Sequence, residues 1–253
     1  WDGFVRPTAP VGESLQSGHE RHCFCPEWSL VTTDPSALLA RLLPVWEELA
    51  DEERAACARH TNVRRFRTSE HIQGRDAGCA GVLLVAEGSL RAYMLSESGR
   101  EITLFRVETG ECCVLAASCI LPMIGFDIAL DAASDCELLV MDPGFFSDLI
   151  EKNVHVEAFA YRQTALRFSD CMWVMQQVLF SSFDARLAAF LLDELARTGE
   201  THLVVTHDEI ARHLGSAREV VSRMLKYFEH EGLVALSRGS VDVLDRSGLR
   251  ALV

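Results

Sequence analysis

Residues 204–244, VVTHDEIARHLGSAREVVSRMLKYFEHEGLVALSRGSVDVL, leave few folds open. Thr206 followed by Glu209, and Ser216 followed by Glu219, have capping-box spacing, in which a hydroxyl and a carboxylate satisfy each other's backbone N–H groups. Two helices can therefore begin in quick succession with Gly215 in the turn between them, which is a helix-turn-helix layout.

On the second helix Val221, Met224, Leu225 and Phe228 stand at i, i+3, i+4 and i+7 and form one apolar face. Glu219, Ser222, Arg223, Lys226 and His230 then fall on the opposite side, flanked by Arg218. These residue types suit base edges: arginine donates twice to guanine, glutamate accepts from the cytosine amino group, and serine does either. The N-terminal residues of a docked recognition helix are also those that meet bases. After Gly232, LVALSRGSVDVL alternates around Arg238-Gly239 like a two-stranded wing, which brings Arg238 near a phosphate. The competing reading is a solvated helix face on which Glu219 merely satisfies the Ser216 cap.

Upstream the pattern changes. Residues 1–21 are rich in Pro, Gly and Ser without periodicity and read as a loosely ordered arm. A helical patch follows, DPSALLARLLPVWEELADEERAACARH, whose apolar spacing switches at Pro44. From Asn62 to Asp142, short alternating runs are broken at Glu87-Gly88 and Ser98-Gly99, the signature of a compact antiparallel β-roll or barrel.

Residues 154–181 lack Gly and Pro over a length of about seven helical turns. Tyr161, Ala165, Phe168, Met172, Met175 and Leu179 recur there at alternating spacings of four and three, an a/d seam that favours a dimer helix over a helix buried in its own domain. A further helix is expected at FDARLAAFLLDELARTG, with Asp184 as N-cap and Gly199 as stop. The expected organisation is α+β: a flexible arm over 1–21, a sensory β-roll with N-terminal helices over 22–150, a dimerisation helix over 151–181, and a winged helix-turn-helix over 182–253.

Bulk properties narrow the function. At 253 residues and 49% hydrophobic content, the chain can bury a substantial core. No uncharged run reaches the roughly 18 to 20 residues a membrane helix needs, and the longest, Cys112–Phe126, is interrupted by Pro122. The first residues lack a basic segment followed by an apolar block, so a cytoplasmic protein is expected. Nine cysteines without an export signal are expected to be mostly reduced thiols. The net charge of −13 excludes non-specific coating of nucleic acid. Residues 201–253, however, hold seven Lys/Arg against seven Asp/Glu, so the whole excess of negative charge lies upstream.

The run HDEIARHLGSAREVVSRMLKYFEHEGLV resembles the winged helix-turn-helix of the cyclic-AMP receptor/FNR (Crp/Fnr) family of bacterial transcription regulators. The order of β-roll, long helix and DNA-binding domain extends the resemblance from about residue 40 to the end. Glu219, Ser222 and Arg223 match the E-x-x-S-R pattern of the FNR-like branch, whose positions read base edges, and Arg218 matches an arginine of the cyclic-AMP receptor. The resemblance implies a cyclic-nucleotide-binding-like jelly roll and a homodimer on a pseudo-palindromic operator with half-sites related to TTGA or TGTGA. It also implies contact with RNA polymerase and no enzymatic activity.

The family's cyclic-nucleotide pocket uses a Gly-Glu pair, matched by Gly110-Glu111, and an arginine and a serine eleven and twelve residues after the glycine. Leu121 and Pro122 stand there, and neither can neutralise a phosphate. Val107–Glu151 contains no Lys or Arg but nine Asp/Glu, which disfavours an anionic ligand unless a distant residue or backbone amides compensate. Cyclic AMP is therefore not the expected effector, and a cyclic-nucleotide or other small-molecule response is the alternative.

Cysteines offer another route. Cys112 and Cys113 on a strand point to opposite faces, so at most one readily joins Cys119 in a shared site, with Cys136 farther on. Packing as small hydrophobes competes with sensing for this group. Cys23 and Cys25 in RHCFCPEW lie where a branch of the family carries three N-terminal cysteines of an oxygen-labile iron–sulfur cluster. The spacing here is C-x-C with no third N-terminal cysteine, and the family's roll ligand position falls near Leu139. Cys23, Cys25, Cys113 and Cys119 are the candidate ligands of a different cluster. Cys25-Pro26 also resembles haem-regulatory motifs, with His22, His71 or a roll cysteine as the opposite ligand. Direct thiol oxidation is the third option, although an acidic surround does not favour a low thiol pKa. A thiol-dependent enzyme with Cys23 or Cys25 as nucleophile is a remote alternative, since no base-and-orienter set accompanies either residue.

Overall fold

The computed structural model describes residues 34–73, 80–115 and 128–253. Three short helical pieces come first: α1 (Ser36–Leu42), a 3-10 turn (Trp46–Glu48) and α2 (Asp51–Arg59). The break after Leu42 falls where Pro44 removes a backbone donor. Eight strands follow: β1 (Thr61–Phe66), β2 (His71–Gln73), β3 (Val82–Glu87), β4 (Ser89–Leu95), β5 (Glu101–Glu108), β6 (Cys112–Cys113), β7 (Ala129–Ala132) and β8 (Cys136–Met141). They form two four-stranded antiparallel sheets, in the orders β1-β8-β3-β6 and β2-β7-β4-β5.

The period-2 alternation of the strands sorts side chains into two cores. Leu83 and Val85 of β3, with Leu90, Phe105, Val107 and Leu138, fill the space between the sheets. Val82 and Leu84 face the other way and join Leu39, Trp46, Phe146 and Phe159 in a core beneath the helices. Gly88 turns β3 into β4 with φ of 85°, and a Cβ there would lie 2.3 Å from the Asp135 carbonyl oxygen, so only glycine fits. Gly99, φ 78°, makes the next turn.

The roll leads through α3 (Pro143–Lys152) into α4 (Val154–Phe180), a helix of 27 residues capped by Asn153, whose side chain accepts from the His155 and Val156 N–H groups. A helix of that length spans about 40 Å. Val156, Phe159 and Ala160 anchor its start in the helical core, and Cys171 and Val174 pack against the core between the sheets. The a/d seam is not used for this purpose: Tyr161, Ala165, Phe168, Met172, Met175 and Leu179 are all exposed, Tyr161, Phe168 and Leu179 each by more than 60%.

Next come α5 (Phe183–Thr198), β9 (His202–Val204), α6 (His207–Leu214), α7 (Arg218–His230), β10 (Val234–Ser237), β11 (Ser240–Val243) and α8 (Arg246–Leu252). Leu187, Leu191, Ile210, Val221, Leu225, Phe228, Val241 and Leu249 form their own core. Ser182, not Asp184, is the N-cap of α5; Asp184 sits in the first turn, where its charge still favours the helix N-terminus. Gly199 ends the helix in the left-handed conformation, as its position suggested. No helix among the described residues is long and apolar enough to cross a membrane.

Candidate nucleic-acid interface

The first capping box forms. The Glu209 N–H donates to Thr206 Oγ1 at 3.2 Å, and Glu209 Oε2 accepts from the Thr206 N–H at 2.6 Å. Gly215 then takes φ of 64° in the turn. The second box does not form: α7 begins one residue later than the Ser216 cap would require, Ala217 is the N-cap, and no side chain caps it. Ser216 is half-buried in the turn. The Glu219 carboxylate is therefore exposed without a capping bond, and its local contribution is that of an acidic charge in the first turn of α7.

Val221, Leu225 and Phe228 are fully buried and Met224 partly so, which fixes the rotation of α7. Arg218, Glu219, Arg223, Lys226 and His230 emerge on the far side, with Ser222 half-buried among them. Arg218 Nε lies 3.7 Å from Asp208 Oδ2, an exposed pair too loose to hold the guanidinium in place. The other end of α7 is tied to the wing, where Glu229 Oε1 accepts from the Leu236 N–H at 3.1 Å. The hairpin turns at Arg238 and Gly239, with Ser237 paired to Ser240, and Arg238 stands exposed at its tip.

Two features escaped the sequence pattern. Tyr227, 52% exposed, flanks the polar face beside Arg223. Its signal was its position four residues after Arg223. The wing also has a third strand, since β9 pairs with β11 and His202 Nδ1 meets Asp242 Oδ1 at 2.7 Å. Three residues are too few to read as a strand by alternation.

The helix-turn-helix is also bonded to the roll. The pairing of β4 with β5 slips between Ala92-Phe105 and Tyr93-Thr103, leaving Leu104 as the extra residue of a bulge. Leu104 and Phe105 thus both face the core, while Thr103 and Arg106 face outward. His213 of α6 meets both: Nδ1 is 2.8 Å from Thr103 Oγ1, and Nε2 is 3.3 Å from Arg106 Nη2. Arg106 also donates to Glu194 of α5 at 2.8 Å, and Arg91 to the Arg212 carbonyl at 3.3 Å. Burial together with Arg106 and Arg91 pushes the His213 pKa down to about 3, so the ring is neutral.

Beside Gly110-Glu111, Arg167 of α4 reaches Glu111 at 3.2 Å, stacks over the Phe105 ring at 4.9 Å and donates to the carbonyl oxygens of Arg106 and Cys112. This is the distant cation that the run from Val107 to Glu151 lacks, and Glu111 together with Asp170, 3.2 Å away, already pairs with it. Cys112 and Cys113 point to opposite faces, Cys112 into the helical core and Cys113 into the core between the sheets. Burial pushes the Cys112 thiol up to about 12 and those of Cys57 and Cys136 up to about 11. Among the described residues no three His, Cys, Asp or Glu converge on a metal position, so these thiols do not by themselves assemble a cluster site. Cys23, Cys25, Cys119 and His22 lie outside the described residues. His71 is exposed and bonded through Nδ1 to Asp131 at 2.7 Å.

A family model described as the Crp-like helix-turn-helix domain matches residues 185–252. The transcriptional regulator SdrP of Thermus thermophilus is 30% identical over 179 residues, covering 66% of this chain and 81% of SdrP. The cyclic AMP receptor protein of the same organism is 29% identical, covering 83% of this chain and 96% of that protein. A solved structure assigned to the Crp/Fnr family, from Eubacterium rectale, superposes with a TM-score of 0.80 at 38% identity, covering 83% of this chain and 97% of that one. An antiparallel roll joined by a long helix to a DNA-binding helix-turn-helix, with relatives that share both halves, gives the assignment: the chain belongs to the Crp/Fnr family of transcription regulators.

Proposed function

We propose that this regulator is a homodimer that binds a pseudo-palindromic operator in a sequence-specific way and acts through RNA polymerase. The observation that carries this reading is the opposed geometry of α7, in which three side chains lock one face into a core while Arg218, Glu219, Arg223 and Lys226 stand exposed on the other. Arg218, Glu219, Ser222 and Arg223 meet bases, with Ser216, Lys226 and Arg238 on phosphates. The exposed seam of α4 supports pairing with a second copy, because monomeric soluble proteins rarely leave so many large apolar side chains in one stripe. Residues 22–150 act as the sensory unit, 151–181 as the dimer helix and 182–253 as the reader.

The sensory unit answers a redox or gas signal through an iron–sulfur cluster, haem or thiols of the cysteine-bearing segments, rather than cyclic AMP. Support comes from Leu121 and Pro122 in the phosphate-binding places and from Arg167 being engaged by Glu111 and Asp170. A mobility-shift series with randomised operators tests the reading of α7: Arg223→Ala should cost about 1 to 3 kcal/mol and relax preference at one base position. Unchanged selectivity would remove Arg223 from the reading set. For the sensor, the visible spectrum of protein purified without oxygen, with iron, sulfide and haem assays, separates the three chemistries. Calorimetric binding of cyclic AMP would reverse the proposal.

A further inference from the structure

Between the roll and the DNA-binding domain lies a cleft of about 950 Å³, within the range of small-molecule sites. Strand β5 forms its floor, α4 one wall, and α5 with the end of α6 the other. Its apolar lining includes Phe105, Trp173, Val178 and Phe190, and Trp173 remains 57% exposed at the lip. Trp173 follows the seam residue Met172 by one position, so it stands on the flank of α4 and not on the line along which a second copy would pair.

Four arginines line this cleft, and three are engaged with carboxylates: Arg106 and Arg197 with Glu194, and Arg167 with Glu111 and Asp170. Arg186 differs. Its guanidinium is stacked over the Phe183 ring at 5.5 Å and donates from Nη1 to the Leu214 carbonyl at 3.2 Å, but among the described residues no carboxylate stands within ion-pairing distance. Its Nε, like that of Arg167, is buried with no hydrogen-bond partner among the described residues. Burial lowers its pKa with no opposing charge acting on it. A partly buried cation with no counter-charge beside it is a ready partner for an incoming anion.

We propose that this cleft, which runs from Glu111 and Arg167 at the roll to Arg186 and Phe190 of α5, is a ligand site for a small aromatic carboxylate whose ring lies among Phe105, Trp173 and Phe190 and whose carboxylate pairs with Arg186. The anion supplies the missing charge, and the aromatic body covers the exposed indole. Because the walls belong to the roll, the long helix and the DNA-binding domain, an occupant bridges all three.

Calorimetry on the full chain without DNA, using 2-naphthoate and 3-phenylpropionate as probes and 2-naphthamide as the uncharged control, tests the site. At least one acid should bind with micromolar to submillimolar Kd, and the amide at least tenfold more weakly than 2-naphthoate. Arg186→Gln should weaken the acid at least tenfold, while Arg186→Lys, which keeps the charge, should recover part of the loss. Absence of binding by both acids at millimolar concentration, equal binding of acid and amide, or an undiminished Kd in Arg186→Gln would each overturn the proposal. The acid-to-amide ratio on the unaltered chain holds even where a substitution disturbs folding. Operator binding is not part of the readout, so a negative result here leaves the reading of α7 intact.

Discussion

His213 Nδ1 lies 2.8 Å from Thr103 Oγ1, and this bond joins the helix-turn-helix to a strand of the roll. The Arg106 guanidinium, a donor, faces the other ring nitrogen at 3.3 Å, so Nε2 carries the lone pair and Nδ1–H donates to the threonine oxygen. A protonated ring would confront the arginine with a second cation.

The pH dependence follows in sign. The folded-state pKa of His213, about 3, lies below its ordinary value of 6.5, so between these limits the unfolded chain binds the additional proton. Stability from this group is complete above pH 6.5 and falls as pH drops toward 3, by at most about 1.4 kcal/mol per pH unit. Urea unfolding from pH 7.5 to 4.5 should show a shallower decline in His213→Gln than in the parent. Parallel curves would mean that the ring is not held neutral.

The two capping sites should separate in stability. Thr206→Ala removes a formed box and should cost about 1 kcal/mol. Glu219→Ala removes an exposed carboxylate that caps nothing, and should stay within about 0.5 kcal/mol of the parent in thermal or urea unfolding while weakening operator binding. A large loss of stability in Glu219→Ala would return that residue to a structural part.

Lys226→Ala should weaken binding to all sequences about equally and lower the slope of log K against log salt by about 1, as expected for one lost phosphate contact. The check is a salt titration by fluorescence anisotropy, run beside Arg223→Ala. A sequence-selective loss would instead move Lys226 among the base-reading residues.

The α4 seam should fail when charged. Phe168→Glu and Met172→Glu place like charges face to face in a paired helix, and sedimentation should then report monomers with operator affinity reduced by more than tenfold. Neither position belongs to a core of the single chain, so circular dichroism should stay unchanged.

The sequence made the large features readable wherever local spacing encodes them. Glu87-Gly88 and Ser98-Gly99 marked turns because positive φ needs glycine there, and the Val221–Phe228 spacing located the buried face of α7. Capping boxes are weaker signals, since the second depended on where α7 starts by one residue. Contacts between residues distant in the chain had no local signature. Arg167 meets Glu111 from 56 positions away, and Thr103 meets His213 from 110. Tertiary packing chose those partners.

The bulge at Leu104 has a mechanical meaning. Without the extra residue, strict alternation would turn one of Thr103 and Arg106 inward; with it, both outward side chains hold the same imidazole. The Arg106 carbonyl is meanwhile gripped by Arg167, from the helix that carries the exposed seam. Arg167 from the long helix and His213 from the helix-turn-helix thus take hold of the same stretch of β5, and one inserted residue makes that strand the linkage between the two.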